Sequence, residues 1–174
     1  VDEGQRLRAL RAQDGKPLLA PAGLGHLMAG GDLIPGKEQE AMAAWMQTRA
    51  DVAGGRSDGA HRLYFLTVLI ASHKAKQQDD MSTRALYESS LEVINEQRYR
   101  QVFRCMLARN AAKLSDFQAA EQWLRPCNPR SDDLLMDTEY RLTKAWIASA
   151  YQNWPEVLQQ VGEAADVIPI ADQY

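Results

Sequence analysis

Two stretches of the chain coincide when one is slid thirty-seven residues along the other. Phe103 and Arg104 fall on Tyr140 and Arg141, and Ala108 and Ala111 fall on Ala145 and Ala148. Leu114 meets Tyr151, Asp116 meets Asn153, Phe117 meets Trp154, and Leu124 meets Val161. Each copy reads as a helix, a tight polar turn followed at once by an aromatic residue, and a second helix. One such hairpin cannot bury its apolar face alone, so a period of this size predicts hairpins stacked on their neighbours. The expected fold class is all-α.

Upstream the chain divides at its glycines and prolines. Asp2 to Gln13 reads as a short helix stopped by Gly15-Lys16-Pro17, and Pro21 to Met28 as another, with Leu24, Leu27 and Met28 on one side. A stronger helix follows Pro35-Gly36 and runs to about Ala53, with Met42, Trp45, Met46, Arg49 and Val52 spaced as one face. Residues 54–59, glycine-rich, are the expected joint between the N-terminal third and the rest. From Ala60 to Gln78 the pattern is apolar almost all round, which predicts a helix covered on every side. Asp79-Asp80 breaks it, and Ser82 is the expected cap of a helix carrying Leu86, Tyr87, Ser90, Leu91 and Ile94. No segment reads as a strand. The expected organisation is an N-terminal helical segment over 1–53 packing on the repeats, a divergent hairpin over 60–97, and two related hairpins with a C-terminal segment over 98–174.

The residues at the two turns resemble the tetratricopeptide repeat (TPR) family. Leu107-Ala108 is similar to its large–small pair, Ser115-Asp116-Phe117 to its Gly-Asp-Tyr turn, Ala120 to its small residue early in the second helix, and Leu124 to its large one. Ala145, Asn153-Trp154, Val157, Val161 and Ala164 match in the next copy, and Pro169 falls where the family has a closing proline. Ala111 and Ala148 stand in place of its usual Tyr, Ser115 and Gln152 in place of its Gly, and Arg104 and Arg141 in place of its first large residue. The hairpin over 63–94 has Leu66 and Ala71 in register but no aromatic at its turn. The resemblance implies a TPR-like, right-handed stack of antiparallel hairpins, an α-α superhelix. It also implies a groove lined by the first helices, with Met106, Arg109 and Lys113 from one unit and Thr143, Trp146 and Ser149 from the next looking into it. Trp146 flanked by Arg109 and Lys113 would receive an extended or helical peptide of acidic character, unless Trp146 packs on the chain's own segment 167–170.

Catalytic chemistry finds little support. Gly31 to Lys37 has the spacing of a phosphate-binding loop, but Glu38 stands where Ser or Thr should hold magnesium, and no strand precedes it. His26, His61 and His73 are scattered, and no carboxylate pair or nucleophile turn stands out. Neither a catalytic residue, a metal site nor a cofactor is expected. Cys105 and Cys127 lie eleven residues either side of Asp116, near one end of the hairpin. A bridge needs Cα atoms about 4.4–6.8 Å apart and helix axes pack about 8–10 Å apart, so two buried reduced thiols are the expectation.

The net charge of −3 gives no field that gathers nucleic acid, and no run reaches the length needed to span a bilayer. Beyond Lys144 there is no Lys or Arg, while Glu156, Glu163, Asp166 and Asp172 make that end acidic. The expected location is cytoplasmic, although a chain that opens on Val1 leaves room for targeting or anchoring sequence upstream. The function these features predict is a non-catalytic protein–protein interaction or assembly module of a larger protein, partnered by another protein or peptide. The alternative is a helical small-molecule sensor or regulatory domain, with a pocket between the N-terminal third and Leu63–Ile70. Homo-oligomerisation through the exposed end of the stack is a third reading.

Overall fold

The structure, a computed structural model, describes residues 21–56, 59–127 and 134–167, with no side-chain account of 134–136 and 165–167. The expected helix over 2–13, Pro169, and the contact of Trp146 with segment 167–170 lie outside the described residues. Within them the chain is all-α apart from one small hairpin. Its helices are α1 (Glu38–Ala53), α2 (Ala60–Lys76), α3 (Asp80–Val93), α4 (Gln97–Lys113), α5 (Phe117–Leu124), α6 (Leu134–Ala150) and α7 (Trp154–Val167). The residues fall into two compact units divided between Arg100 and Gln101.

In the first unit, α1, α2 and α3 pack together. Helix α2 is buried from Leu63 through Ser72 without interruption, as its all-round apolar pattern predicts. Within this run Thr67 donates from Oγ1 to the Leu63 carbonyl at 2.6 Å. The Trp45 indole of α1 lies across α2 and α3, and its Nε1 donates to Thr67 Oγ1 at 3.0 Å and Ser90 Oγ at 3.2 Å. A buried hydroxyl left without a partner costs about 1–3 kcal/mol, so this three-way bond is what lets Thr67 and Ser90 sit fully buried. Arg49 ties α1 to α3 a second time, through the Ser89 carbonyl at 2.9 Å and Glu92 at 2.7 Å.

Three expectations for this unit need correction. The segment before α1 is not a helix along Leu24, Leu27 and Met28. It is a single 3-10 turn (Gly25–Leu27) followed by a two-stranded antiparallel hairpin of β1 (Met28–Ala29) and β2 (Asp32–Leu33). Gly30 and Gly31 turn it with φ of 60° and 94°, a conformation that ends any helix there. The buried face of α1 is Ala41, Trp45, Thr48 and Val52, while Met46 is 56% exposed. Small residues let the helices approach, so the face lies rotated from the stripe of largest side chains. Finally, Ser82 does not cap α3; its N–H donates to the Asp79 carboxylate at 3.1 Å, and Asp79 is the cap.

The three hairpin turns share one geometry. Among the described residues, the non-glycine positions with positive φ are Gln78 (60°), Ser115 (62°) and Gln152 (57°), spaced thirty-seven apart. Each terminates its helix with the paired backbone bonds of a left-handed C-cap. The next residue's N–H reaches five residues back: Asp79 to Lys74 O at 3.0 Å, Asp116 to Ala111 O at 2.9 Å, and Asn153 to Ala148 O at 2.9 Å. The left-handed residue itself reaches three back, to Ala75 O, Ala112 O and Ser149 O at 3.0–3.1 Å. Asp79 and Asp116 then cap the following helices from nearly identical backbone angles, φ −88°, ψ 69° and φ −89°, ψ 71°. The turn after α2 therefore has the same form as the other two although Asp80 stands where they have an aromatic residue.

Candidate functional site

In the second unit the first helices of the two hairpins, α4 and α6, touch. Thr143 Oγ1 on α6 donates to the Glu139 carbonyl one turn back at 2.7 Å and lies 3.5 Å from the Cys105 carbonyl of α4. Arg109 on α4 pairs with Glu139 on α6 at 3.2 Å, with both side chains largely buried. Helix α6 is fastened to α7 on its other side. Arg141 joins Asp137 at 2.8 Å and also pairs with Glu163, and Lys144 lies 3.7 Å from Glu156. These pairs fix the rotation of α6 about its axis, and with it the direction in which Trp146 points.

The six residues expected to face a groove divide into two sets. Met106 and Thr143 are buried rather than on a surface, Thr143 completely and within the α4–α6 contact. Arg109 is turned into the same contact by Glu139. Trp146 is 45% exposed, Lys113 is exposed, and Ser149 is half-buried with its hydroxyl donating to the Trp146 carbonyl at 2.7 Å. Met106, Arg109 and Thr143 therefore serve packing. The thirty-seven-residue offset pairs positions along two helices and says nothing about which side of each helix is turned inward.

The hairpins join at their closed ends through Phe117 at the start of α5 and Tyr151 just past α6, whose ring centroids lie 5.2 Å apart. Partial desolvation, then the Glu121 carboxylate hydrogen-bonded to it, push the Tyr151 hydroxyl above the ordinary tyrosine range. At the other end Cys105 and Cys127 are free thiols, both buried, as the spacing argument expects. They hydrogen-bond each other, which pushes Cys105 well up and brings Cys127 down. Cys127 Sγ also lies 3.6 Å from the Gln101 and Trp123 carbonyls.

Elsewhere the chemistry-bearing side chains are engaged with neighbours. His26 and Lys37 both bind Glu40, at 2.5 and 2.6 Å, so the lysine of the phosphate-loop-like spacing is matched by a carboxylate one turn on. His73 lies 3.2 Å from Glu38, and His61 lies 3.1 Å from the Tyr99 hydroxyl. Among the described residues no three His, Cys, Asp or Glu side chains gather as a metal site. The Trp45 indole of α1 lies against the centre of α2, along part of the boundary between the N-terminal third and Leu63–Ile70 expected to hold a sensor pocket.

The sequence reading missed a second surface. Trp154, Leu158 and Val161 form an exposed apolar stripe along α7, at 59%, 74% and 46% exposure. Their i, i+4, i+7 spacing beside buried Gln160 and Ala164 is the signal that could have found it, because it makes the apolar arc of α7 wider than one helix contact needs. No protein-family model, curated protein or solved structure matches the chain. No described helix is long and apolar enough to cross a membrane.

Proposed function

We propose that the chain is a non-catalytic protein-interaction module of the TPR-like kind, in which the second unit presents Trp146 to an extended or helical peptide. The observation that carries this reading is the exposure of a tryptophan on a helix otherwise held by ion pairs on both sides. Large aromatic side chains dominate binding energy when a partner desolvates them, and a rigid platform lowers the ordering cost of binding. Lys113, exposed at the end of α4, adds cationic character toward an acidic peptide. Recurrence of one turn at Gln78, Ser115 and Gln152 supports the repeat part of the reading.

The test is a titration of fluorescein-labelled acidic helical and extended peptides against the wild-type chain and the Trp146→Ala variant. Trp146 is half exposed, so the variant keeps its helical circular-dichroism spectrum and melting curve. The expected outcome is saturable binding to the wild type, weakened about tenfold or more by the substitution. Equal binding by both proteins would remove Trp146 from any partner surface and end this reading.

A further inference from the structure

Cys105 and Cys127 arrive at one place by two routes through the first hairpin of the second unit. Cys105 stands in the middle of α4, four residues after Gln101, and a helical side chain leans back over the turn before it. Cys127 reaches that same turn from outside: its Sγ lies 3.6 Å from the Gln101 carbonyl, and the two thiols hydrogen-bond each other. The spacing of packed helix axes, about 8–10 Å, does not hold them apart. Helix α5 ends at Leu124, and Cys127 lies past it in a short turn, its N–H bonded to the Leu124 carbonyl at 2.9 Å. That turn, rather than a helix, has to shift for the sulfurs to close to a bond of about 2.05 Å.

The surroundings give the two sulfurs different parts. Cys105 is completely buried and Cys127 nearly so, but the cover over Cys127 is thin. Exposed Arg125 and Pro126 precede it, and the eight residues of α5 bury only Ala120 and Leu124. A segment with so few buried contacts opens locally at low cost. The bond from Cys105, then the nearby Arg104 charge, bring the Cys127 thiol down, whereas that same bond and burial push Cys105 up. A thiolate is the form that attacks an oxidant, so Cys127 attacks and Cys105 resolves.

We propose that Cys105 and Cys127 are a peroxide-responsive thiol pair whose oxidation closes this hairpin with a disulfide. The Cys127 thiolate attacks one oxygen of hydrogen peroxide and the O–O bond breaks. Cys127 becomes a sulfenic acid, and the displaced hydroxide takes up the proton the thiol released and leaves as water. The Cys105 sulfur then gives up its proton and displaces the sulfenic hydroxyl as a second water, forming the S–S bond. Two thiols lose two electrons and two protons, and one peroxide becomes two waters. The bond ties the chain just past α5 to the middle of α4, at the end of the hairpin away from Ser115. A dithiol reductant restores both thiols by exchange.

The test treats the reduced full chain with stoichiometric hydrogen peroxide in native buffer, then follows it by intact mass and by digestion without reduction. The expected result is a monomer lighter by two hydrogens and one peptide pair linked through Cys105 and Cys127, both reversed by dithiothreitol. Cys105→Ala should leave a sulfenic acid at Cys127 that dimedone traps, and Cys127→Ala should leave Cys105 unmodified. Alanine suits both sites because a buried thiol packs as a small hydrophobe. Should either variant lose its helical spectrum, the linked pair in the wild-type chain decides alone. Two thiols that still react with maleimide on unfolding, after peroxide has been consumed, overturn the proposal. So do disulfides between chains, sulfinic acid at Cys127 with no linked pair, or a linked pair that forms only in urea.

Discussion

The ring of Phe117 rests against that of Tyr151 with centroids 5.2 Å apart and planes inclined by 50°, joining the second helix of one hairpin to the end of the first helix of the next. Tilted pairs of this kind place the positive edge of one ring near the negative face of the other. Phe117 is half-buried, so Phe117→Ala should destabilise the chain by about 1–2 kcal/mol, toward the low end for burying a Phe side chain. Tyr151→Ala should lower the melting temperature in the same direction, and the two losses combined should be less than additive. Urea melts of the two single variants and the double variant check this; full additivity would mean that the rings contribute separately.

The turns make a prediction of opposite sign. Ser115, Gln78 and Gln152 occupy left-handed backbone that costs an ordinary residue about 1–2 kcal/mol and glycine almost nothing. Glycine gives back about 0.4–1 kcal/mol through the freedom it adds to the unfolded chain. Ser115→Gly should therefore stabilise by roughly 0.5–1 kcal/mol, the balance of those two effects. Removing the cap next to it with Asp116→Ala should destabilise by about 1 kcal/mol. Chemical denaturation of both variants reads the two signs side by side.

Gly59 holds α1 and α2 close. A Cβ there would stand 2.8 Å from Val52 Cγ2, nearer than side-chain carbons approach. Gly59→Ala should cost about 1–3 kcal/mol by overpacking, and Val52→Ala in the same chain should recover part of that loss. Differential scanning calorimetry of the single and double variants is the check. A Gly59→Ala chain that melts like wild type would mean that the helices separate freely at this point.

His61 gives the first unit a dependence on pH. Burial first, and the nearby Arg98 charge second, hold its pKa below the ordinary 6.5. The folded chain therefore favours the neutral ring, and the unfolded chain binds the proton more readily. Its contribution to stability is complete above about pH 6.5 and is lost as the pH falls through the lower folded-state value. Melting temperatures from pH 7.5 down to about pH 5 should fall more steeply for wild type than for His61→Asn. Parallel curves would show that His61 titrates alike in both states.

What the sequence revealed depended on whether a residue's identity carried its conformation. The turns at Asp116 and Asn153 were legible because a capping side chain precedes an aromatic. The turn at Asp79 has the same backbone, yet it read only as a break. Asp80 replaces the aromatic, and Gln78 in left-handed backbone leaves no mark such as glycine would. The burial of α2 was plain from its composition. The face of α1 was misread because its close contacts are made by Ala41 and Thr48, whose small size, rather than apolar weight, brings them inward. Of the expected groove residues, Trp146 reaches solvent, whereas Met106 and Thr143 are buried: the repeat gave the pairing of α4 with α6 but not their rotation. Leu158 was invisible as a surface feature for a related reason, since apolar residues spaced as Trp154, Leu158 and Val161 read the same whether that face of α7 is buried or exposed.

The claim beneath all of this is that one backbone turn recurs at Gln78, Ser115 and Gln152. NMR of the full chain tests it directly, through the backbone chemical shifts of those three residues and the hydrogen exchange of the amides that follow them. The account predicts left-handed shifts at all three positions and slowed exchange at Asp79, Asp116 and Asn153. Negative φ at any of the three, or an Asp79 amide that exchanges freely while the other two are protected, would contradict it.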